Sequence, residues 1–324
     1  MSSKREDDEG SFFKPLNLSK IKTYSIKERK NLSHVNRFAK PVSPQDGMHA
    51  FFESLPEFLA SANLRKVIDA IVHAHRKKRP VVMALGAHVI KCGLSPLIID
   101  LMNRRIITAL AMHGASAIHD YEVSLIGATS EDVAETLKDG SFGMVKETAE
   151  AFQAASAHGI KEGKGLGRAL GDKIVEEENT YHDLSLLAWG ARLNIPTTVH
   201  VALGTDTIHM HPNVSGRDLG ESSHTDFKIL ASVVSQLEGG VWLNVGSAVI
   251  LPEVFLKALC IARNLGHKVE NFVTVNMDMI QHYRPQTNVL RRPTPHGYAI
   301  TGHHEIMLPV LRMGVLTKLG RGDE

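Results

Sequence analysis

The chain has 324 residues, of which 43% are hydrophobic and 22% charged, and its formal net charge is +2. These are ordinary globular values, so the charge gives no general attraction to nucleic acid or to membranes. The two cysteines, Cys92 and Cys260, lie far apart in sequence, which argues against a disulfide framework or a cysteine-bound zinc ion. With no apolar run of about 18 residues and no signal-peptide pattern, we expect a cytoplasmic protein.

The N-terminal part of the chain differs from the rest. Residues 1–44 lack hydrophobic periodicity and are rich in Lys, Ser and Asn, so we expect a partly extended arm there. No linker or repeat divides residues 45–324, which predicts a single domain. Basic residues cluster in Lys20–Lys30 and Arg76–Arg79; we interpret both runs as solvated faces, with a polyanion site as the alternative.

Apolar spacing predicts helices that begin near Ser43 and near Leu64. Short apolar runs that end in glycine or polar residues then predict buried parallel strands at 81–85, 106–112, 197–203, 241–245 and 272–276. Helical patterns are found at 95–103, 132–137, 142–155, 181–193, 227–237, 254–265 and 306–316. We expect Pro309 to lie in the first turn of the last helix. This alternation predicts an α/β fold: a doubly wound, mainly parallel, Rossmann-like sheet.

Polar or glycine residues follow all five predicted strands. Because the carboxyl ends of parallel strands meet at one edge, where ligands bind, these residues are candidates for a binding site. They are Gly86-Ala87-His88, His113-Gly114-Ala115-Ser116, Gly204-Thr205-Asp206, Gly246-Ser247-Ala248 and Asn276-Met277-Asp278. A tight strand-to-helix turn explains any one of them equally well, but five together favour a nucleotide or a similar ligand.

Several of these stretches resemble deoxyhypusine synthases. Residues 85–94 are similar to the segment that opens the NAD site of that family, and His113-Gly114-Ala115 to its Thr-Ala-Gly-Gly turn. Further similar stretches follow in the family's order: Asp120 with Glu122, Gly165–Gly171, Ile195-Pro196, Ala202-Leu203, Asp206, His211, Gly246–Ile250, Val275-Asn276 and Arg284-Pro285. The resemblance runs from Val81 to the C-terminus and implies a deoxyhypusine synthase-like NAD-binding fold.

The same resemblance implies an assembly and a cofactor site. If the chain assembles as the family does, it is a homotetramer with NAD sites at subunit contacts. The residues that the resemblance places at the cofactor are Gly86, His88, Gly114, Asp206, Gly246, Ser247, Asn276 and Gly302.

Departures from the family pattern exclude deoxyhypusine synthase activity. The family forms an imine on a lysine shortly after its Arg-Pro, but residues 286–293 contain no lysine. The family's catalytic histidine falls at about Pro252, and 278–283 replaces most of the acidic residues that grip a polyamine. His88 and His113 stand where the family has Asn and Ala.

Histidine is abundant instead, with 18 residues, and it transfers protons near neutral pH. Among residues near the expected site, our candidates for catalysis are His113, Asp120, His211 and His303. For binding an anionic or amine-bearing substrate the candidates are Arg284, Arg291 and His282, since guanidinium groups match carboxylates and phosphates.

A divalent metal site is the second interpretation of the histidines. Asp206, His209 and His211 supply an oxygen and two nitrogens of the kind that zinc, iron or manganese takes. The simpler interpretation is that His209 packs inside and His211 begins a loop.

Three functions therefore stay open. The leading hypothesis is an enzyme of the deoxyhypusine synthase-like superfamily that binds NAD or a similar nucleotide and acts on a small anionic or amine-bearing molecule without lysine-imine chemistry. The second is a metal-dependent hydrolase or lyase, and the third is a non-catalytic oligomeric scaffold or nucleotide sensor.

Overall fold

The computed structural model describes residues 13–320, which fall into two compact units that meet in sequence between Phe38 and Ala39. In the first unit, short 3-10 turns at Leu18–Lys20 and Val35–Arg37 interrupt extended chain, and the large apolar side chains are exposed. No helix in 13–320 is long and apolar enough to cross a membrane. All the helices and strands discussed below belong to the second unit.

The second unit is built on six parallel strands in the order β3-β2-β1-β4-β5-β6. They are β1 Val81–Leu85, β2 Ala109–His113, β3 Thr197–His200, β4 Val241–Val245, β5 Val273–Asp278 and β6 Gly297–Thr301. The predicted doubly wound, parallel architecture is confirmed. β6 is not predicted from the sequence. This edge strand has one buried residue, Ile300, and lacks a continuous apolar run.

Helices connect the strands and cover the sheet. They are α1 Gly47–Ser54, α2 Leu59–Arg76, α3 Ala87–Lys91, α4 Ser95–Asn103, α5 Gly114–Ile126, α6 Val133–Thr136, α7 Lys146–Glu162, α8 Leu166–Glu176, α9 Leu186–Leu193, α10 Gly216–Ser235, α11 Ile250–Asn264, α12 Tyr283–Pro285 and α13 His304–Leu319. A π-helical turn, Gln286–Arg291, follows α12. The expectation for Pro309 is wrong: α13 begins at His304, earlier than predicted, so Pro309 lies beyond its first turn.

Apolar residues are buried against both faces of the sheet. The larger cluster includes Met83, Leu85 and Leu243, and the other includes Val82, Ala84 and Trp242. Alternate residues of a strand point to opposite faces, so β1 is apolar throughout, and β4 is apolar except for Asn244, because each face is covered. This is why their apolar runs are visible in the sequence.

Asp226, on α10, anchors β3 from inside the protein. It is 1% exposed, and its Oδ2 accepts hydrogen bonds from the backbone N–H groups of Gly167 and Val199, both at 2.8 Å. Burial raises the pKa of Asp226 to about 7, although these two hydrogen bonds oppose the shift. One carboxylate therefore ties α10 to α8 and to the strand that leads into the candidate site.

Candidate functional site

The strand order reverses between β1 and β4, the kind of switch point at which open parallel sheets bind ligands, and we name the place between the segments that follow these two strands the crevice. The backbones approach closely there: a Cβ atom on Gly86 would lie 2.0 Å from the carbonyl oxygen of Gly246. Gly246 itself has a φ of +72°, in the left-handed region that favours glycine. Backbone packing thus requires glycine at both predicted cofactor positions, independently of any ligand.

His304 lies over this crevice. It is 2% exposed, and its Nε2 would be 2.8 Å from a Cβ atom on Gly246. The His88 ring is 6.2 Å away, centroid to centroid. Burial lowers the pKa of His304, although Asp278 at the end of β5 opposes the shift, and within residues 13–320 its Nδ1 has no hydrogen-bond partner. The crevice therefore contains a neutral imidazole with a nitrogen atom open to a ligand.

A chain of amides forms the floor of the crevice. Asn244 Nδ2 donates to the Ser247 carbonyl at 2.9 Å and to Asn276 Oδ1 at 2.7 Å, and Asn276 Nδ2 donates to Gln281 at 2.8 Å. Ser247 Oγ accepts from the N–H of Leu251 at 3.2 Å. Ser247 and Asn276, two predicted cofactor contacts, therefore make hydrogen bonds between the segments that border the crevice. The buried Asn244 Oδ1 has no partner among the described residues.

The beginning of α5, at the end of β2, is occupied by the protein's own carboxylate. A Cβ atom on Gly114 would lie 2.0 Å from Asp206 Oδ2, and the Ala115 N–H donates to Asp206. A helix N-terminus favours an anion, and Asp206 already supplies it. The prediction that Gly114 and Asp206 contact a cofactor stays a prediction, although the Asp206 carboxylate lies where an anion would approach this helix end.

Burial raises the pKa of Asp206 to about 6, although the Ala115 N–H and the nearby His119 oppose the shift. Its Oδ2 has no hydrogen-bond partner within residues 13–320. The group thus changes its protonation state close to neutral pH.

Asp206 borders a cavity of about 780 Å³ between α5, the loop that follows it and the start of α7. Three further carboxylates line this cavity, those of Glu122, Glu131 and Glu147, against the single ammonium group of Lys91 and the ring of His119. Apolar side chains form much of the remaining wall: Ile118, Leu125, Ile126, Val133, Phe142 and Val145. We name this space the acidic cavity.

Glu122 is held in place by a hydrogen-bond network inside the acidic cavity. Thr129 Oγ1 donates to Glu122 Oε2, Thr148 Oγ1 donates to its Oε1 at 3.3 Å, and His119 Nδ1 is 3.7 Å from Oε2. His119 Nδ1 is also 2.6 Å from Thr129 Oγ1. Burial alone would raise the pKa of Glu122, but the hydrogen bonds from His119 and Thr129 hold it below its usual value. Glu122 is therefore a fixed carboxylate that stays ionised.

The predicted catalytic residues lie apart from one another. His113 ends β2, and burial lowers its pKa to about 4, with His119 adding to the shift. His303 precedes α13 on the exposed side of the crevice, with Nδ1 3.9 Å from Glu305. His211 Nε2 is 3.0 Å from the Gly143 carbonyl, so it holds the rim of the acidic cavity. The structure therefore does not bring these histidines together at one catalytic point.

Asp120 faces the interior rather than the site. It is fully buried and accepts hydrogen bonds from Ser185 Oγ at 2.6 Å, from the N–H of Leu186 at 2.8 Å and from the N–H of Leu187 at 3.1 Å. Burial raises its pKa to about 6 despite these donors. This arrangement secures the beginning of α9, and it gives no support to the predicted catalytic role.

The predicted metal ligands do not form a metal site. Within residues 13–320, no group of three or more His, Cys, Asp or Glu side chains is placed to hold a metal ion. His209 Nδ1 accepts from the N–H groups of Gly204 and Asp206, at 3.1 and 3.2 Å, and His211 turns to the Gly143 carbonyl. The prediction is corrected because the backbone takes up the nitrogens that were expected to bind metal.

The predicted substrate ligands lie beyond the crevice, on the segment that follows β5. Arg284 Nη1 is 3.1 Å from Glu253 Oε1, and Arg291 Nη2 is 3.4 Å from Gln286 Oε1. His282 is exposed and precedes α12. Gly302, the remaining predicted cofactor contact, adjoins Met307, whose side chain a Cβ atom would strike.

Most of the acidic cavity is missed by the sequence analysis. Glu131 and Glu147 lie on segments with no strand end near them in sequence, so the strand-end argument cannot select them. Lys91 lies within the 85–94 stretch after β1, but nothing in its pattern assigns it a role. Glu122 is the exception, because the resemblance points to an acidic pair at Asp120 and Glu122. One member of that pair faces the cavity and the other faces the core.

Comparison with solved structures gives matches at low identity. A LOR/SDH protein from Methanococcus maripaludis S2 matches with a TM-score of 0.54 and 15% identity, over 81% of this chain and 71% of its own. The ternary complex of AgrE with ornithine and NAD+ matches with a TM-score of 0.51 and 13% identity, over 80% of this chain and 33% of the AgrE chain. These two likenesses concern the fold alone.

A protein assigned as a deoxyhypusine synthase from Entamoeba histolytica also matches, with a TM-score of 0.48 and 10% identity, over 86% of this chain and 96% of its own. No protein-family model matches the sequence, and no curated protein matches it either.

Proposed function

We propose that the protein is an enzyme of the deoxyhypusine synthase-like superfamily that acts on a small amine-bearing molecule. The observation that carries the proposal is the acidic cavity, in which four carboxylates and one ammonium group line about 780 Å³ at the carboxyl edge of the sheet. The leading hypothesis from sequence leaves an anionic and an amine-bearing substrate open. The balance of charge in this cavity favours the amine.

The arrangement suits an alkylamine in particular. Ionised carboxylates such as Glu122 attract an ammonium group, while the apolar wall favours burial of a short alkyl chain. Asp206, with a pKa near 6, is suited to accept a proton from such a substrate near neutral pH. We assign Glu122 to binding and Asp206 to proton transfer.

We assign the nucleotide to the crevice between β1 and β4. The unpartnered polar atoms there, His304 Nδ1 and Asn244 Oδ1, fit a ligand that makes hydrogen bonds, although the anion position at α5 is taken. When bound, NAD accepts a hydride from a substrate carbon. Lys91 ends α3, which begins beside the crevice, and it also lines the acidic cavity, so the two sites adjoin. AgrE, about a third of which is similar in fold to this chain, forms a complex with ornithine and NAD+, an amine and this nucleotide.

The test uses two probes of equal length and opposite charge, 1,4-diaminobutane and butanedioate, measured by isothermal titration calorimetry with and without NAD. We expect the diamine to bind and the diacid not to bind. Glu122→Gln should weaken diamine binding about tenfold, because a charge-assisted contact is lost. Glu150→Gln, on the exposed surface of α7, is the matched control. Stronger binding of butanedioate would contradict the proposal.

The nucleotide and the assembly are tested separately by native mass spectrometry of the full chain. We expect one NAD mass per subunit and four subunits per assembly. A tetramer that takes up neither NAD nor the diamine would instead support the scaffold function.

A further inference from the structure

An open groove of about 1310 Å³ lies at the opposite, amino edge of the sheet. Arg79 and Thr108, which precede β1 and β2, both line it. Among the described residues, six Lys and Arg side chains line the groove against one carboxylate, that of Asp69. They are Arg76, Lys77, Lys78, Arg79, Arg105 and Lys318. We name this feature the basic groove, and it is remote in the fold from the strand ends of the proposed active site.

The end of α2 does not need the cations of the basic groove as caps, whereas Arg105 Nη1 donates to the carbonyl of Leu193, at the end of α9, at 2.9 Å. α2 ends here, and its last carbonyls already accept backbone N–H groups: that of His73 from Lys77, that of His75 from Lys78 and that of Ala74 from Arg79. At the end of α4 the Met102 carbonyl likewise accepts the N–H of Arg105. Apart from Arg105, capping therefore does not explain why charged side chains gather at this edge.

Two of the cations occupy positions that glycine would suit better. Lys78 has a φ of +53° and Arg105 a φ of +56°. This left-handed conformation costs an ordinary residue free energy that glycine avoids, and glycine is the usual residue just after a helix. At Lys78 a charged side chain therefore opposes local stability, which is expected where the charge itself has a use, whereas the Arg105 guanidinium also bonds the Leu193 carbonyl.

Little within the protein neutralises the groove. Lys77, Lys78, Arg79 and Arg105 have exposed side chains and form no salt bridge with any residue in the described part of the chain, while Asp69 pairs with Lys318. Like charges held this close repel one another unless an anion lies between them.

We propose that the basic groove binds a small polyanion that carries several phosphate groups. The compact cluster of guanidinium and ammonium groups matches phosphate oxygens. No Phe, Tyr or Trp of residues 13–320 lines the groove, so this part of the chain offers none of the aromatic surfaces on which single-stranded nucleic acids stack. Its concave form also suits a compact molecule better than a flat membrane.

The probe is inorganic tripolyphosphate, titrated calorimetrically into the full chain at low ionic strength, with orthophosphate as the comparison. We expect one tripolyphosphate per chain, bound at least about tenfold more tightly than orthophosphate, because several charges act together. Lys77→Glu should weaken binding about tenfold, and Lys161→Glu, an exposed charge reversal on α7, should leave it unchanged.

Two variants separate a binding role from a structural one. Lys78→Gly should keep or raise the melting temperature, because glycine suits the left-handed position, and yet weaken tripolyphosphate binding about threefold. Asp69→Asn removes the one carboxylate and should tighten binding.

The proposal is overturned if tripolyphosphate does not bind, or if Lys161→Glu weakens binding as much as Lys77→Glu. It is also overturned if a single-stranded oligonucleotide or a phosphatidylserine vesicle binds more tightly than tripolyphosphate and depends on Lys77.

Discussion

The two edges of the sheet use charge in different ways. At the carboxyl edge, the carboxylates of Glu122 and Asp206 are buried or half-buried, and neighbouring donors fix their positions. At the amino edge, the cations of the basic groove are exposed, and most have no ionic partner within residues 13–320. Fixed, desolvated groups determine geometry and protonation state, whereas exposed groups supply mainly charge density.

This difference predicts different sensitivities. The acidic cavity should respond to the loss of single atoms, to pH and to the buried groups that support it. The basic groove should respond to the number of charges and to salt.

The largest effect is expected from Asp226, which supports the carboxyl edge from inside. Asp226→Ala leaves the buried N–H groups of Gly167 and Val199 without an acceptor and should lower the free energy of unfolding by about 3 kcal/mol. Asp226→Asn keeps an acceptor oxygen and should cost much less. Urea unfolding at pH 7 measures the free energy of unfolding of both variants. Equal losses would show that the hydrogen bonds to Gly167 and Val199 do not account for the stabilisation by Asp226.

The same residue predicts the sign of a pH effect on stability. Burial raises the pKa of Asp226 to about 7, so the folded state holds this proton more tightly than the unfolded state does. Its contribution is fully present below the unfolded pKa near 4 and is lost as the pH rises through 7. Asp226→Asn should therefore lose less stability than the native chain between pH 5 and pH 8. A steeper loss in the variant would contradict this assignment.

The next largest effect is expected from removing both fixed carboxylates of the cavity. The double variant Glu122→Gln with Asp206→Asn should weaken 1,4-diaminobutane binding about 100-fold, since each charge-assisted contact contributes roughly tenfold. Tripolyphosphate binding at the basic groove should be unchanged. Calorimetry with both ligands on one sample makes the comparison; a parallel loss of both would indicate a disturbed fold.

The sequence predicts this architecture better than it predicts the site. β1 and β4 are found at their observed bounds because both of their faces are buried, which makes every residue of β1 and all of β4 except Asn244 apolar. β6 is missed because it is half-buried at the sheet edge. α5 is missed because its first turns are small residues with a weak apolar pattern.

The site depends on contacts that sequence spacing does not encode. Asp120 and Glu122 are two residues apart on one helix, so their side chains point in different directions, one to the core and one to the cavity. Asp206 lies at a strand end as predicted, but its carboxylate fills the position at α5 that a phosphate would take. Three-dimensional packing, rather than residue type, separates these roles.

A smaller effect is expected from pH on the acidic cavity. Asp206 is ionised above its pKa of about 6 and protonated below it, while the pKa of Glu122 lies under its usual value. Diamine binding should therefore weaken about tenfold between pH 7.5 and pH 5, as the Asp206 charge is lost. Asp206→Asn should bind more weakly but show a nearly flat profile over this range. If diamine binding to Asp206→Asn kept the pH dependence of the native chain, a group other than Asp206 would be responsible for it.

The smallest effect is expected from salt, and it should separate the two edges. Raising sodium chloride from 50 to 300 mM shortens the screening length, so tripolyphosphate binding at the exposed cations of the basic groove should weaken by about fivefold. Diamine binding in the acidic cavity should change less, because its carboxylates are partly removed from water. Equal salt sensitivity in the two calorimetric titrations would mean that the cavity is as solvated as the groove. The contrast would then be one of charge sign alone.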